Sequence, residues 1–172
     1  APPARDGIAV KNAGLVLVNS YIMLLLERLD LLATDKFIHE AAQADAVHYL
    51  QYIVTGLTGT EEVYLPLNKV LCGLPLSYPV AQDMEMPEGH QQMIDAMIGA
   101  MISHWTSIGD SSVNGFRGNW LVRDGLLTEL EDKWELSVEN RAYDILLQYC
   151  PFTFSVIKYP WMNKPLHVNW AY

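Results

Sequence analysis

Basic side chains are scarce in this sequence: 11 Lys and Arg stand against 20 Asp and Glu over 172 residues, a formal charge of −9. That balance works against a surface tracking nucleic-acid phosphates, which needs an excess of cations. Long apolar runs are missing too. The longest, Tyr21 to Leu26, falls far short of the ~20 residues of a bilayer span, so no membrane insertion is expected. Cysteine is limited to Cys72 and Cys150, both in apolar company where a free thiol packs as a small hydrophobe. A disulfide between them is the minority reading.

Patterns that carry chemistry are absent as well. His39-Glu40-Ala41-Ala42 begins like a zinc-protease helix motif, but Gln43 stands where the second His belongs. His48, His90, His104 and His167 are dispersed and lack Cys pairs, so no metal and no cofactor is expected. Asp110-Ser111-Ser112 lacks the flanking glycines of a nucleophile elbow, and no Gly-rich phosphate loop occurs. Glu61-Glu62 and the pair Glu129 and Glu131 read as solvated acidic faces. No catalytic residue is assigned.

What is present is hydrophobic packing material. Apolar residues make up 51% of the chain, more than a free monomer of one domain needs, so part of that surplus reads as interface. Residues 1–7, Pro-rich and without an initiator Met or signal core, read as a linker end. Residues 8–172 read as a single globular domain, the C-terminal domain of a longer protein.

The segment Leu65 to Leu76 is the most completely punctuated stretch. Pro66 suits a first helical position and Gly73 a left-handed cap, with Leu67, Val70 and Leu71 on one apolar face and Asn68 and Lys69 expected outward. Upstream, Ile8 to Val10 reads as a strand, Leu15 to Val18 as buried chain, and Asn19 or Ser20 as the cap of a helix reaching about Leu32. Thr34 or Asp35 is expected to cap a second helix, with Ala46, Val47, Leu50, Ile53 and Val54 buried and Gly56 ending it. Pro87 opens a third, whose Met93, Ile94, Met97, Ile98, Met101, Ile102 and Trp105 leave little polar face; it is expected to be the central core helix. Phe116 to Val122 forms a shorter helix.

Beyond Leu126 the period changes to two, which predicts an antiparallel hairpin turning near Asp132. Ala142 to Tyr149 returns to helix with Ile145, Leu146 and Tyr149 on one side. Val156 to Tyr159 and Leu166 to Trp170 are candidate strands. The fold class is therefore α+β, predominantly helical, with a buried helical core followed by a small antiparallel β-sheet.

Two clusters admit a partner-binding reading beside the core reading. The Met93, Met97 and Met101 stripe is core filling first and an adaptable groove second. Trp161, Met162 and Trp170, in the Pro-bounded C-terminal segment, are the candidates for contact with a partner.

Several stretches together resemble the contractile injection system tape measure family: Lys11-Asn12-Ala13-Gly14-Leu15-Val16-Leu17, Ala46 to Leu50, Leu65 to Pro75, His104-Trp105, Asn114 to Arg117, Trp134 to Glu139 and Tyr159-Pro160-Trp161-Met162. The resemblance runs in order from Lys11 to Trp170, departing after Leu17, where Val18-Asn19-Ser20-Tyr21 replaces a His-Pro-Phe type segment. It implies a structural, non-enzymatic role in a phage-tail-like bacterial particle, in which the domain docks on inner-tube, spike-hub or cap proteins and helps set tube length. Homo-oligomerisation matching tube symmetry is implied too, as is a location in the bacterial cytoplasm during assembly and then in a particle that is extracellular or membrane-anchored. A plug or cap adaptor at one tube end is the alternative, and a small metal-dependent hydrolase built on His39, Glu40 and His104 a weaker one.

Overall fold

Helix α2, Glu40–Thr55, is the element on which the others pack. Every residue from Ala46 to Val54 is buried, polar ones included, so the helix is enclosed on all sides. The structure, a computed structural model, describes residues 7–171; most of the expected linker, residues 1–6, lies outside them. The cap of α2 is His39 rather than Thr34 or Asp35: its Nδ1 accepts the Ala42 N–H at 3.0 Å. Thr34, at φ 65°, instead turns a two-stranded hairpin of β2, Leu32–Ala33, and β3, Lys36–Phe37. That hairpin is also why the preceding helix α1, Asn19–Arg28, stops short of Leu32. Gly56, at φ 72°, ends α2 as expected.

Helix α3, Pro66–Leu71, begins on Pro66 and ends in a Schellman arrangement, with Gly73 N–H on Val70 O at 3.1 Å and Leu74 N–H on Lys69 O at 2.9 Å. Its apolar face is buried as expected. Asn68 and Lys69, expected outward, are buried as well, because a six-residue helix between larger elements has no solvent side. Asn68 donates to Val47 O at 3.0 Å, and Asn12 Nδ2 donates both to Asn68 Oδ1 at 2.6 Å and to Gln51 Oε1 at 2.9 Å. Lys69 Nζ reaches Glu62 at 2.8 Å and Leu76 O at 3.0 Å. Burying Asn68 and Lys69 in this way is tolerable because each finds partners, although Asn12 Oδ1 in the same network has none among the described residues.

Helix α4, Glu88–His104, opens after Pro87, but it is not the central helix. Ile94, Ile98, Met101 and the following Trp105 are buried, whereas Ala96, Ala100, Ser103 and His104 are exposed and Met93 and Met97 half-buried. Its apolar character on the outer side is therefore surface. A short helix α5, Val113–Phe116, runs into a π-turn, Arg117–Leu121.

The sheet is mixed, with strand order β1-β4-β5-β7-β6. These are β1, Ile8–Val10; β4, Gly125–Glu129; β5, Trp134–Val138; β6, Val156–Ile157; and β7, Leu166–Asn169. The β4/β5 hairpin is antiparallel as expected, but β7 lies parallel to β5. A parallel neighbour needs a long crossover, which the chain from Glu139 to Pro165 supplies. The sheet does not simply follow the helices either, since β1 pairs with β4 and brackets them.

Residues Ala142–Tyr149 form a 3-10 helix, whose period of three turns Asp144 and Leu147 inward and leaves Ile145 and Tyr149 exposed, against the side expected from a 3.6 period. Asp144 meets Arg123 in two parallel bonds of 2.7 and 2.8 Å, both side chains buried. The Arg123 guanidinium sits among the rings of Trp120, Tyr143 and Trp170. Cys72 and Cys150 are free thiols, Cys72 buried.

Candidate docking surfaces

Trp161 lies where three segments converge: the β2/β3 hairpin, the chain leaving α3, and the Tyr159-Pro160-Trp161-Met162 turn. Its indole N–H donates to Leu71 O at 2.8 Å, which fixes the ring. Phe37 packs against it with centroids 4.9 Å apart, and Tyr159 at 5.2 Å. The half-exposed indole forms one wall of an open groove of about 690 Å³, together with Phe37, His39, Leu74, Pro75 and Tyr78. Tyr78 donates its O–H to Glu40 Oε1 at 2.8 Å, and that carboxylate pushes the phenol pKa up. Gly73 serves this surface as well as the helix end. A Cβ there would lie 2.3 Å from Trp161 O, so the backbone of the Trp161 turn rests directly on the glycine.

The other two partner candidates have different settings. Met162 is 4% exposed, and its Sδ takes the Tyr159 N–H at 3.3 Å. Trp170 is 6% exposed, donates to Asp144 at 2.9 Å and packs on Phe154. Both side chains are buried within the folded chain, so of the three candidates Trp161 is the one that lines an open groove. Proximity to proline in the sequence does not tell which aromatic faces outward. Phe37 and Tyr78 went unread in the sequence because they reach the groove from distant segments. Pro75 and Pro160, which both line it, were the available signal.

A second groove, of about 350 Å³, runs between α1 and α4 and is lined by Tyr21, Leu24, Leu25, Arg28, Met93 and Met97, with Ala96 and Ala100 on the α4 side. Two of the three methionines in the stripe thus face the groove, while Met101 is in the core. Leu24, 50% exposed, is an apolar residue of α1 beyond its buried positions Ile22 and Leu25. That excess was readable in the sequence.

The polar clusters serve structure. Tyr49 O–H and His90 Nδ1 are 2.5 Å apart; burial, and then the Asp45 charge, push the Tyr49 pKa up to about 12, so the phenol stays protonated. Asp95 receives Arg117 at 2.9 Å. His39 caps α2 and His104 packs against Phe152, and no hydrogen bond or ion pair joins His39 or Glu40 to His104 among the described residues. Nor do the described residues contain a group of three His, Cys, Asp or Glu placed to hold a metal ion. No described helix is long and apolar enough to cross a membrane.

Comparison with known proteins gives one match: the sequence model of the family described as contractile injection system tape measure protein covers residues 1–170. No curated protein and no solved structure matches.

Proposed function

Because the chain belongs to the contractile injection system tape measure protein family, we propose that its folded part is the anchor of a molecular ruler, docking through the Trp161 groove on an inner-tube, spike-hub or cap protein. The particle is assembled in the bacterial cytoplasm, and the anchor defines the end point from which tube length is counted. Copies of the domain follow the symmetry of the ring they sit on. The observation that carries the reading is the ready-made aromatic wall. Trp161 is held by Leu71 O and Phe37 before any partner arrives, so docking on it costs little side-chain entropy. A large, rigid, half-exposed tryptophan in a concave setting is the commonest kind of interface hot spot.

The experiment is capture of purified tube, hub and cap proteins by the full chain, with Trp161→Ala and Tyr78→Ala as variants checked for an unchanged melting temperature. Tube lengths of particles assembled with each are measured by electron microscopy. Lost capture with few tubes, or tubes of variable length, is the expected outcome. Normal tubes of a single length from a folded Trp161→Ala chain would remove the anchoring role.

A further inference from the structure

The groove between α1 and α4 plays no part in that reading, and its chemistry differs. Its lining is apolar apart from one charge, Arg28, although the chain as a whole carries 20 acidic residues against 11 basic. Arg28 is exposed and makes no ion pair among the described residues. It stands in the last turn of α1, where a cation also faces its own helix's carbonyl end, and its guanidinium keeps its donors available to an incoming carboxylate. On the other wall, Met93 and Met97 present deformable thioethers, and Ala96 and Ala100, one turn apart, let another backbone approach α4 closely.

We propose that this groove receives an amphipathic α-helix of a partner protein, with apolar side chains at i, i+3 or i+4, and i+7 seated between Leu24 and Met97, and an Asp or Glu paired with Arg28. A helix suits the site better than a strand. Both walls are helices whose backbone N–H and C=O groups are used internally, so there is no free edge to extend, and specificity must come from side chains alone. The walls are long enough for two to three turns of guest helix: ten residues of α1 and seventeen of α4 span about 15 and 25 Å at 1.5 Å per residue. The charge favours a different chain over a second copy. In a two-fold contact through this groove the same patch would supply both sides, and its lining holds no acidic residue to pair with Arg28.

A display library of helix-stabilised 18-residue peptides tests this, selected on the full 172-residue chain and counter-selected on Ala96→Trp, which fills the groove from an exposed position. Enriched peptides are expected to share the apolar helical spacing and an acidic residue at one fixed offset. Fluorescence anisotropy should show their affinity falling at least tenfold on Arg28→Glu, and recovering when the peptide's acid is changed to Lys. Melting temperatures of both variants confirm that they fold. Three outcomes overturn the proposal: no enrichment of helical peptides, binding indifferent to both substitutions, or self-association of the chain that Ala96→Trp abolishes, which would make the occupant a second copy.

Discussion

Asn12 and Asn68, 56 residues apart in sequence, meet side chain to side chain at 2.6 Å inside the core. The contact joins the end of the first strand to α3, and Gln51 of α2 completes a triangle in which all three side chains are buried. Each amide is positioned by the other two.

Replacing Asn68 with Leu removes the bond it accepts from the Asn12 amide and those it gives to the Val47 carbonyl and Gln51, while Asn12 keeps its bond to Gln51. A net hydrogen bond contributes about 0.5–1.5 kcal/mol, so an overall loss of about 1–3 kcal/mol is expected in urea denaturation. An unchanged midpoint would show that the triangle contributes nothing.

Gly73 and Gly109 share a φ of 72°, yet only Gly73 is crowded. Gly109 combines that φ with a ψ of −164°, a region open almost solely to glycine, so Gly109→Ala should cost about 1–3 kcal/mol for the backbone alone. Gly73→Ala adds a collision with the Trp161 carbonyl and should cost at least about 3 kcal/mol. Equal midpoint shifts for the two variants would mean that the Trp161 turn does not rest on Gly73.

Burial pushes the Asp144 carboxyl pKa up, but the Arg123 guanidinium, the Trp170 N–H and the Arg141 amide outweigh it and hold the group below its ordinary value. A carboxyl depressed in the folded state stabilises above its unfolded pKa of about 3.9 and loses that contribution as pH falls through the folded value. Asp144→Asn should therefore cost about 3–5 kcal/mol at neutral pH, where it leaves Arg123 buried and unpaired. The gap to the parent chain should narrow in urea titrations below about pH 4. A gap constant with pH would contradict the ionised pair.

Both ring nitrogens of His48, 3% exposed, are without a hydrogen-bond partner among the described residues. A Leu of similar volume removes that cost, and His48→Leu should raise stability by about 1 kcal/mol. A lower melting temperature would show that the imidazole is satisfied after all.

Two methionines one turn apart should respond very differently to charge. Met97→Asp, at the half-buried groove wall, should cost under about 2 kcal/mol, while Met101→Asp in the core should exceed the domain's margin and unfold it. Circular dichroism of the pair decides it, and similar behaviour would put Met97 in the core.

These contrasts mark what the sequence could and could not tell. Helix ends were legible at Pro66, Gly73, Gly56 and Pro87, where Pro or Gly sets the backbone, but not at the end of α4, which stops at His104 rather than running to Gly109. The β2/β3 hairpin was not, because Thr34 adopts a positive φ without the glycine that usually announces one. Hydrophobic content placed α4 at the centre, but a residue's greasiness does not say whether this chain or another covers it. Asn68 and Lys69 were assigned outward because polar residues normally are, and their buried partners lie on other segments. Of the Trp161 groove, the tryptophan itself was visible as a candidate. Its aromatic neighbour Phe37 was not, since only the folded chain brings it there.

The parallel pairing of β5 with β7 also sets the order in which this domain is made. While β5 is emerging from the ribosome, its partner, residues 166–169, has yet to be synthesised, and Trp170 has yet to close over Arg123 and Asp144. The helices around α2 can gather early from local contacts, but the sheet has to wait for a strand some thirty residues further along, at the loop-closure cost that makes such pairings slow. Synthesis as far as residue 165 therefore leaves the assembly of this domain incomplete, and a chain stalled there carries an exposed β5 edge and a buried-charge site without its lid.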